Sequence, residues 1–391
     1  MTEKRTTLDR RAGTASKSVS ARVLALVASG RANSRAELCS VLGMAPSSIS
    51  MAVAGLVRSG ALTEAGEGDS TGGRRPRILS LGGQSNYVAC ADLGGHHLRV
   101  GIMSADGKLE ASKTLPFDIG SGPEACLATL GIAFDQLITD RPGRTLMGLG
   151  ISLPGPVNVE GGFVDSPSRM PGWHRFPFRD ALAERFETTT VVENDANAMA
   201  VGEYSAQPNK HRQMIVVKAG TAIGSGLIID GQIYQGANGA AGDITHARTP
   251  AAGSYPCSCG NRGCLETIAS GAAVARMLGE RGTTINDSSD IVALVEDAHP
   301  EATALVRDSG RHLGSVMSAI VNFFNPSAVL LGGTFSTLEP FVASFRSQLY
   351  EGCHPLVTKH LVIGTSLLGA DSGLAGAGRL ALHAAFDTYS H

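Results

Sequence analysis

His246-Ala-Arg-Thr-Pro-Ala-Ala-Gly-Ser-Tyr-Pro-Cys257-Ser-Cys259-Gly-Asn-Arg-Gly-Cys264-Leu-Glu266 is the stretch around which the chain is organised. Three of the seven cysteines fall within its last ten residues, and His246 lies eleven positions before the first of them. Three thiolates and an imidazole make a complete tetrahedral shell for zinc. Four protein ligands leave no open position for water, so a structural ion is expected at His246, Cys257, Cys259 and Cys264. Gly260 and Gly263 let the backbone turn tightly between Cys259 and Cys264. The alternative is three unrelated thiols, or a disulfide with one thiol left over. The intracellular look of the chain and the cysteine spacing speak for the metal. Asp243 and Glu266 flank the knot, where a pinned loop would fix acidic groups in the wall of a pocket.

Outward from this stretch, 391 residues allow two or three domains, and 43% apolar residues suffice for real cores. The polar start, Met-Thr-Glu-Lys-Arg, has no apolar signal region, and no apolar run reaches membrane-spanning length. A cytoplasmic protein without a membrane partner is expected. Net charge is −2, unevenly spread: twelve Lys and Arg against six Asp and Glu in residues 1–85, twenty-one against twenty-nine in the remainder. A basic head on an acidic body points to nucleic acid at the head.

The head reads as follows. Residues 1–18 are polar, basic and aperiodic, a disordered arm. Val23, Leu24, Leu26 and Val27 give a helical apolar face that ends at Gly30. Ser34 with Glu37 three residues on forms a capping box for a second helix, which stops at Gly43. A third helix starts at Pro46 with Ile49, Val53, Leu56 and Val57 inward. This is a helix-turn-helix, with Ser47, Ser48 and Ser50 on the early turns that face bases or phosphates of double-stranded DNA. Ala61–Glu64, a glycine-rich tip and Arg74–Leu81 then form a hairpin wing, with Arg74, Arg75 and Arg77 as phosphate or minor-groove contacts. The competing reading is a small helical bundle for protein contacts.

In the body, Tyr87–Asp92, Gly94-Gly95 and a second strand to Ile102 form a strand–glycine loop–strand unit. Met214–Val217 and Gly220–Gly231 repeat it, which suggests a duplicated two-lobed fold. A helix is expected over residues 123–139 and a buried strand over 146–152. Val191–Glu193 runs as a strand into a helix at Asn194-Asp195, the strand end where ligands bind in open α/β sheets. Asp195 reads equally as a general base for a sugar hydroxyl and as a helix N-cap. Further helices are expected at 302–324 and at about 372–382.

Together these motifs resemble the ROK family (repressor, open reading frame, kinase), essentially over the whole chain. The resemblance implies an actin-like, hexokinase-like (ribonuclease H-like) α/β ATPase fold behind a winged helix-turn-helix, with a structural zinc site. It implies an arm at 1–18, a DNA-binding domain at 19–83 and a sugar-binding domain at 84–391. Lobe one would be about 84–193 plus the C-terminal helix at about 372–391, and lobe two about 194–371. The family's sugar pocket maps onto Asn194, Asp195, Asp243, His246 and Glu266, with His246 shared between zinc and sugar. The sequence departs from the family's kinases at the phosphate loops, where His96 stands for Thr and Ala222 for Gly. Both changes argue against good ATP binding. The pocket Glu is shortened to Asp243, and Thr245 replaces a Gly.

The expected function is therefore a transcriptional regulator, a repressor of carbohydrate-metabolism genes. A sugar or sugar phosphate would act as effector, and a homodimer or dimer of dimers would bind operator DNA. The alternatives are a sugar kinase with a DNA-binding head, in which Asp195 is the catalytic base, and a body used only for dimerisation or docking.

Overall fold

The computed structural model describes residues 19–28, 32–58, 60–67, 77–82, 86–168, 170–207 and 210–388. The arm expected at 1–18 and the hairpin tip with Arg74 and Arg75 lie outside them. The head comprises α1 (Val19–Ala28), α2 (Arg35–Leu42), α3 (Pro46–Arg58) and the antiparallel pair β1 (Leu62–Glu67) and β2 (Arg77–Leu81). Ser34 caps α2: its Oγ accepts the Glu37 amide at 3.3 Å. The Glu37 carboxylate reaches one residue further back than expected, to the Asn33 amide at 2.8 Å. Gly43 ends α2 at φ +63°, which a side chain would resist. Leu24, Leu38, Ile49, Val53, Leu56 and Leu62 fill the head's core.

The body is built on two five-stranded mixed sheets. The first is ordered β5 (Leu109–Pro116), β4 (His97–Ser104), β3 (Asn86–Leu93), β6 (Thr145–Leu153), β9 (Thr190–Asn194). The second is ordered β12 (Gln232–Ile233), β11 (Ile223–Ile229), β10 (Met214–Ala219), β13 (Ala328–Gly332), β14 (Val362–Thr365). Each has an antiparallel hairpin on one side and parallel strands on the other, so the repeat seen in the sequence is a repeat of topology. A short pair, β7 (Val157–Asn158) and β8 (Phe163–Val164), follows β6.

Helices α4 (Pro123–Thr139) and α5 (Phe178–Phe186) cover the first sheet through Leu130, Phe134, Phe178 and Leu182. Trp173 is fully buried in that core and donates its indole N–H to the Ile119 carbonyl, a packing residue. The second sheet is covered by α7 (Glu266–Ala269), α8 (Gly271–Gly279), α9 (Ser288–Glu296), α10 (Pro300–Phe324) and α11 (Glu339–Gly352), with the short α12 (Pro355–Thr358) before β14.

Two helices remain, α6 (Asp195–Ala206) and α13 (Ser372–Thr388), and they cross each other between the sheets. α6 lies on β10 and β11, and α13 lies on β3, β6 and β9. A Cβ at Gly376 would stand 1.7 Å from the Ala198 carbonyl oxygen, and one at Gly202 would stand 2.1 Å from that of Ser372. Only hydrogen fits at either position. At the start of α13, the buried Glu203 carboxylate accepts the Leu367 and Leu368 amides and the Ser372 hydroxyl, at 2.8, 3.0 and 2.6 Å. At its far end, Leu382, Ala385 and Phe386 join one apolar cluster with Val23, Leu24 and Val27 of α1. That burial carries α13 to Thr388, past the end expected from its Ala and Gly content. Among the described residues no helix is long and apolar enough to cross a membrane.

Candidate functional site

The carboxyl ends of β9 and β10 meet through Asp195 and Lys218. At the end of β9, Asn194 is the N-cap of α6: its Oδ1 accepts the Ala196 and Asn197 amides at 3.0 and 3.2 Å, and its Nδ2 donates to the Gly155 carbonyl at 2.9 Å. The capping role thus falls to Asn194. Asp195 accepts the Ala196 amide on Oδ1 at 2.8 Å, and its Oδ2 takes the Lys218 ammonium at 2.7 Å. Both side chains are largely enclosed, 20% exposed for Lys218 and 16% for Asp195. Burial pulls the Lys218 pKa down, but Asp195 and then Asp92 outweigh it and hold the ammonium above the ordinary lysine range. Sequence reading missed Lys218. Its signal is a charge inside the otherwise apolar strand Met214–Ala219.

Asp92 ends β3 nearby, 7% exposed, and accepts the Ser152 hydroxyl at 2.5 Å. It abuts the first turn of α13, where a Cβ on Gly373 would lie 2.7 Å from its carboxylate. The His97 ring lies over the first glycine loop: a Cβ on Gly94 would meet it at 2.3 Å. Burial lowers the His97 pKa, Asp92 opposes this, and Lys218 adds to it. The second glycine loop is closed upon α8. The Gly271 and Ala272 amides donate to the Gly220 and Thr221 carbonyls at 2.8 and 3.0 Å, and the Thr221 and Ser288 hydroxyls are bonded at 3.0 Å.

The loop from Gln235 to His246 folds over the same region. Gln235 Nε2 donates to Glu193 Oε2 at 2.6 Å, and Ser225 Oγ donates to the Gly242 carbonyl at 2.6 Å. The Thr245 hydroxyl bonds the Ile223 carbonyl. The Glu266 amide donates to the Thr245 carbonyl at 3.0 Å, and the Leu265 amide to that of Ala247 at 2.9 Å. Asp243, His246 and Glu266 therefore gather at the start of β11, against the first turn of α6, where Ala196 packs on Gly224. Asp243 is exposed and Glu266 buried.

Behind them, one ligand atom from each of His246, Cys257, Cys259 and Cys264 lies within 4.8 Å of the others. Cys257 Sγ stands 3.5 Å from His246 Nδ1, and Cys259 Sγ 3.8 Å from Cys264 Sγ. Zn–S and Zn–N bonds of about 2.3 and 2.0–2.1 Å give tetrahedral edges of about 3.8 Å between sulfurs and about 3.5 Å from sulfur to nitrogen. The donor set and its spacing fit such an ion. Gly260 and Gly263 make the turns at φ +86° and +76°.

On the head, Ser47 and Ser50 are exposed and Ser48 is half-buried along α3. Met51 beside them is 76% exposed, an apolar residue on that face which the sequence reading passed over. Arg77 is not a bare cation: its Nη1 and Arg35 Nη2 each lie 2.5 Å from the Glu64 carboxylate. Arg77 first, then Arg35, hold the Glu64 carboxyl below the usual range.

The glucokinase of Halalkalibacterium halodurans is 27% identical over 312 residues, 75% of this chain and 94% of the kinase. The xylose repressor of Bacillus subtilis is 28% identical over 348 residues, 88% of this chain and 89% of the repressor. Among solved structures, a ROK family transcriptional regulator, a homologue of the E. coli MLC protein, superposes with TM-score 0.76 at 23% identity, covering 95% of this chain and 97% of that one. A ROK glucokinase from Streptomyces griseus, solved with glucose and AMPPNP, gives TM-score 0.64 at 27% identity over 75% of this chain and 99% of that one. The ROK family profile matches residues 88–384, and the chain belongs to the ROK family.

Proposed function

We propose that the chain is a sugar-responsive transcriptional repressor of carbohydrate-metabolism genes. The observation that carries this reading is that one helix serves both ends of the molecule. α13 abuts Asp92 at its first turn and packs against α1 of the head at its last. The head at 19–83 is read as a winged helix-turn-helix on operator DNA, with the arm at 1–18 before it and the sugar-binding body at 84–391 behind it. Ser47, Ser48, Ser50 and the wing arginines Arg74, Arg75 and Arg77 are its contacts. Asn194, Asp195, Asp243, His246 and Glu266 hold the sugar. Zinc at His246, Cys257, Cys259 and Cys264 is structural: its four ligands leave it no place for substrate, and it holds His246 and Glu266 against the pocket.

A sugar gripping Asn194 and Asp195 acts on the N-terminus of α6. α6 meets α13 backbone to backbone, without side chains to absorb a shift. Movement of α6 is thus passed to α13 and to the head it carries. In a dimer, heads must match half-sites about one helical turn or a multiple apart, so a small change of posture costs affinity. The xylose repressor alignment supports the reading, because its 348 residues exceed the length of the body and run into the head. The test is titration of the full chain on its own upstream DNA, with and without D-xylose and D-glucose. Salt-sensitive specific binding that changes at least several-fold with sugar is expected; binding indifferent to every sugar defeats the proposal.

A second reading, a sugar kinase carrying a head, is favoured by the retained Asp195 and the glucokinase relatives. The Lys218 ion pair and the His97 ring over Gly94 stand against it. A coupled assay with ATP and magnesium, and turnover abolished by Asp195→Asn, would favour the kinase.

A further inference from the structure

We propose that the Asp195–Lys218 pair selects the effector class: a neutral sugar that presents a hydroxyl to it, and not a sugar phosphate or sugar acid. This rests on the sugar-binding reading of the body and sharpens it.

The argument is one of donors, acceptors and charge. The Lys218 ammonium carries three N–H donors and commits one of them to Asp195 Oδ2. Asp195 is an acceptor only, with its Oδ1 taking the Ala196 amide and lone pairs to spare on both oxygens. The pair therefore offers a donor and an acceptor side by side. A sugar hydroxyl is both donor and acceptor, so one hydroxyl can donate to the carboxylate and accept from the ammonium. A phosphate or carboxylate can only accept. It would satisfy Lys218 and leave its remaining oxygens facing Asp195.

The charges weigh the same way. Two carboxylates, Asp195 in contact and Asp92 close by, act on this one ammonium. Their local sum is negative before any ligand arrives. A phosphate ester brings about −1.5 to −2 more at neutral pH, into a site where the pair is only 16–20% exposed and screening is weak. To gain the ammonium, the ester must take it from Asp195 and strand that carboxylate, a costly exchange for a buried pair. A neutral hydroxyl leaves the pair intact.

The experiment uses the full chain and isothermal titration with D-glucose, D-xylose, D-glucose 6-phosphate, D-glucose 1-phosphate and D-gluconate. At least one neutral sugar should bind at least about tenfold more tightly than any of the charged compounds, a gap of about 1.4 kcal/mol. In Asp195→Asn the ammonium is released from its counter-charge. The preference for neutral sugar should then shrink by about tenfold, with phosphate esters gaining in absolute affinity. Lys218→Met should weaken the neutral sugar, which loses a donor, and should bring no gain to the esters, which then meet a more negative site. A phosphate ester that matches or exceeds its parent sugar in the wild-type chain overturns the proposal, and that comparison needs no variant to fold. So does an Asp195→Asn chain, folded by circular dichroism, whose ratio is unchanged. A neutral sugar that binds without altering operator affinity would sink the repressor reading and leave this inference standing. An ester that binds best and shifts operator affinity would do the reverse, and silence toward all five compounds overturns both.

Discussion

Gly376 of α13 lies so close to Ala198 of α6 that a methyl group there would stand 1.7 Å from the Ala198 carbonyl oxygen. The obstacle is backbone, which cannot rotate away. Gly376→Ala should therefore force the helices apart and destabilise the body by at least about 2 kcal/mol, the upper part of the range for overpacking. Gly279→Ala, at the end of α8 with open space around its Cβ position, is the matched comparison. It should change stability by no more than about 1 kcal/mol, in the stabilising direction that helix propensity gives. Urea denaturation of both variants decides, and equal midpoints would mean that the crossing is not tight.

Phe386 is buried where α13 meets the head, in the cluster that contains Leu24. Truncating a buried aromatic costs about 3–5 kcal/mol where the site cannot collapse. Here the loss should fall on the docking of α1, because the head keeps its own core of Leu38, Ile49, Val53 and Leu62. Phe386→Ala is expected to bind sugar as before and still to bind operator, while the effect of sugar on operator affinity falls toward one. Hydrogen exchange gives a reading independent of DNA. Sugar should slow or speed the amides of residues 19–27 in the wild-type chain and leave them unchanged in the variant. A full sugar response in Phe386→Ala would remove α13 from the route.

Much of this was open to reading from the sequence, for reasons that are local. Ser34 with Glu37 is a cap whose chemistry acts within four residues; at the start of α6 the sequence offers Asp195 as the cap, and the structure gives that role to its neighbour Asn194. The gathering of His246 with Cys257, Cys259 and Cys264 was equally plain, since cysteine and histidine at short spacing have few other uses. Lys218 was not, because its meaning depends on Asp195 and Asp92, which other elements bring to it. The partner of Arg77 was hidden for the same cause: a bare count of charge cannot show that Glu64, thirteen residues earlier, is paired with it. The pattern of small residues marks α13 only to about Leu382; its last turns, to Thr388, bury Ala385 and Phe386 in a cluster shared with α1. The His97 ring beside Gly94 was not legible, because which side chain of a hairpin leans back over its glycine loop is set by the register of β3 and β4.

The Glu64 link gives a pH dependence with a definite sign. Arg77 and Arg35 depress its folded-state pKa, so the stabilisation is present above the unfolded value of about 4.3 and is lost as pH falls through the depressed folded value. The groups lie near the surface, so the effect is under about 1 kcal/mol. The thermal midpoint of Glu64→Gln should lie below that of the wild type at pH 6–7, and the gap should close below about pH 4. A gap that persists in acid would mean that Glu64 acts through packing instead of charge.

Cys259 and Cys126 test the metal against each other. Cys259 is exposed yet has its sulfur 3.8 Å from that of Cys264, while Cys126 is buried in the core under the first sheet, away from the cluster. If the four-ligand site holds zinc, Cys259→Ser should lower bound zinc well below one ion per chain, whereas Cys126→Ser should leave it at one. Loss of the ion frees the loop that anchors His246 and Glu266, so sugar-induced thermal stabilisation should fall together with zinc in Cys259→Ser and should survive in Cys126→Ser. A chelator applied to the wild-type chain should reproduce the first result, because the ion and its ligands fold as one unit. Retention of a full zinc ion by Cys259→Ser, measured by mass spectrometry of the native protein, would show that this cysteine is not a ligand. Retention of the sugar response after complete zinc removal would separate the metal from the pocket.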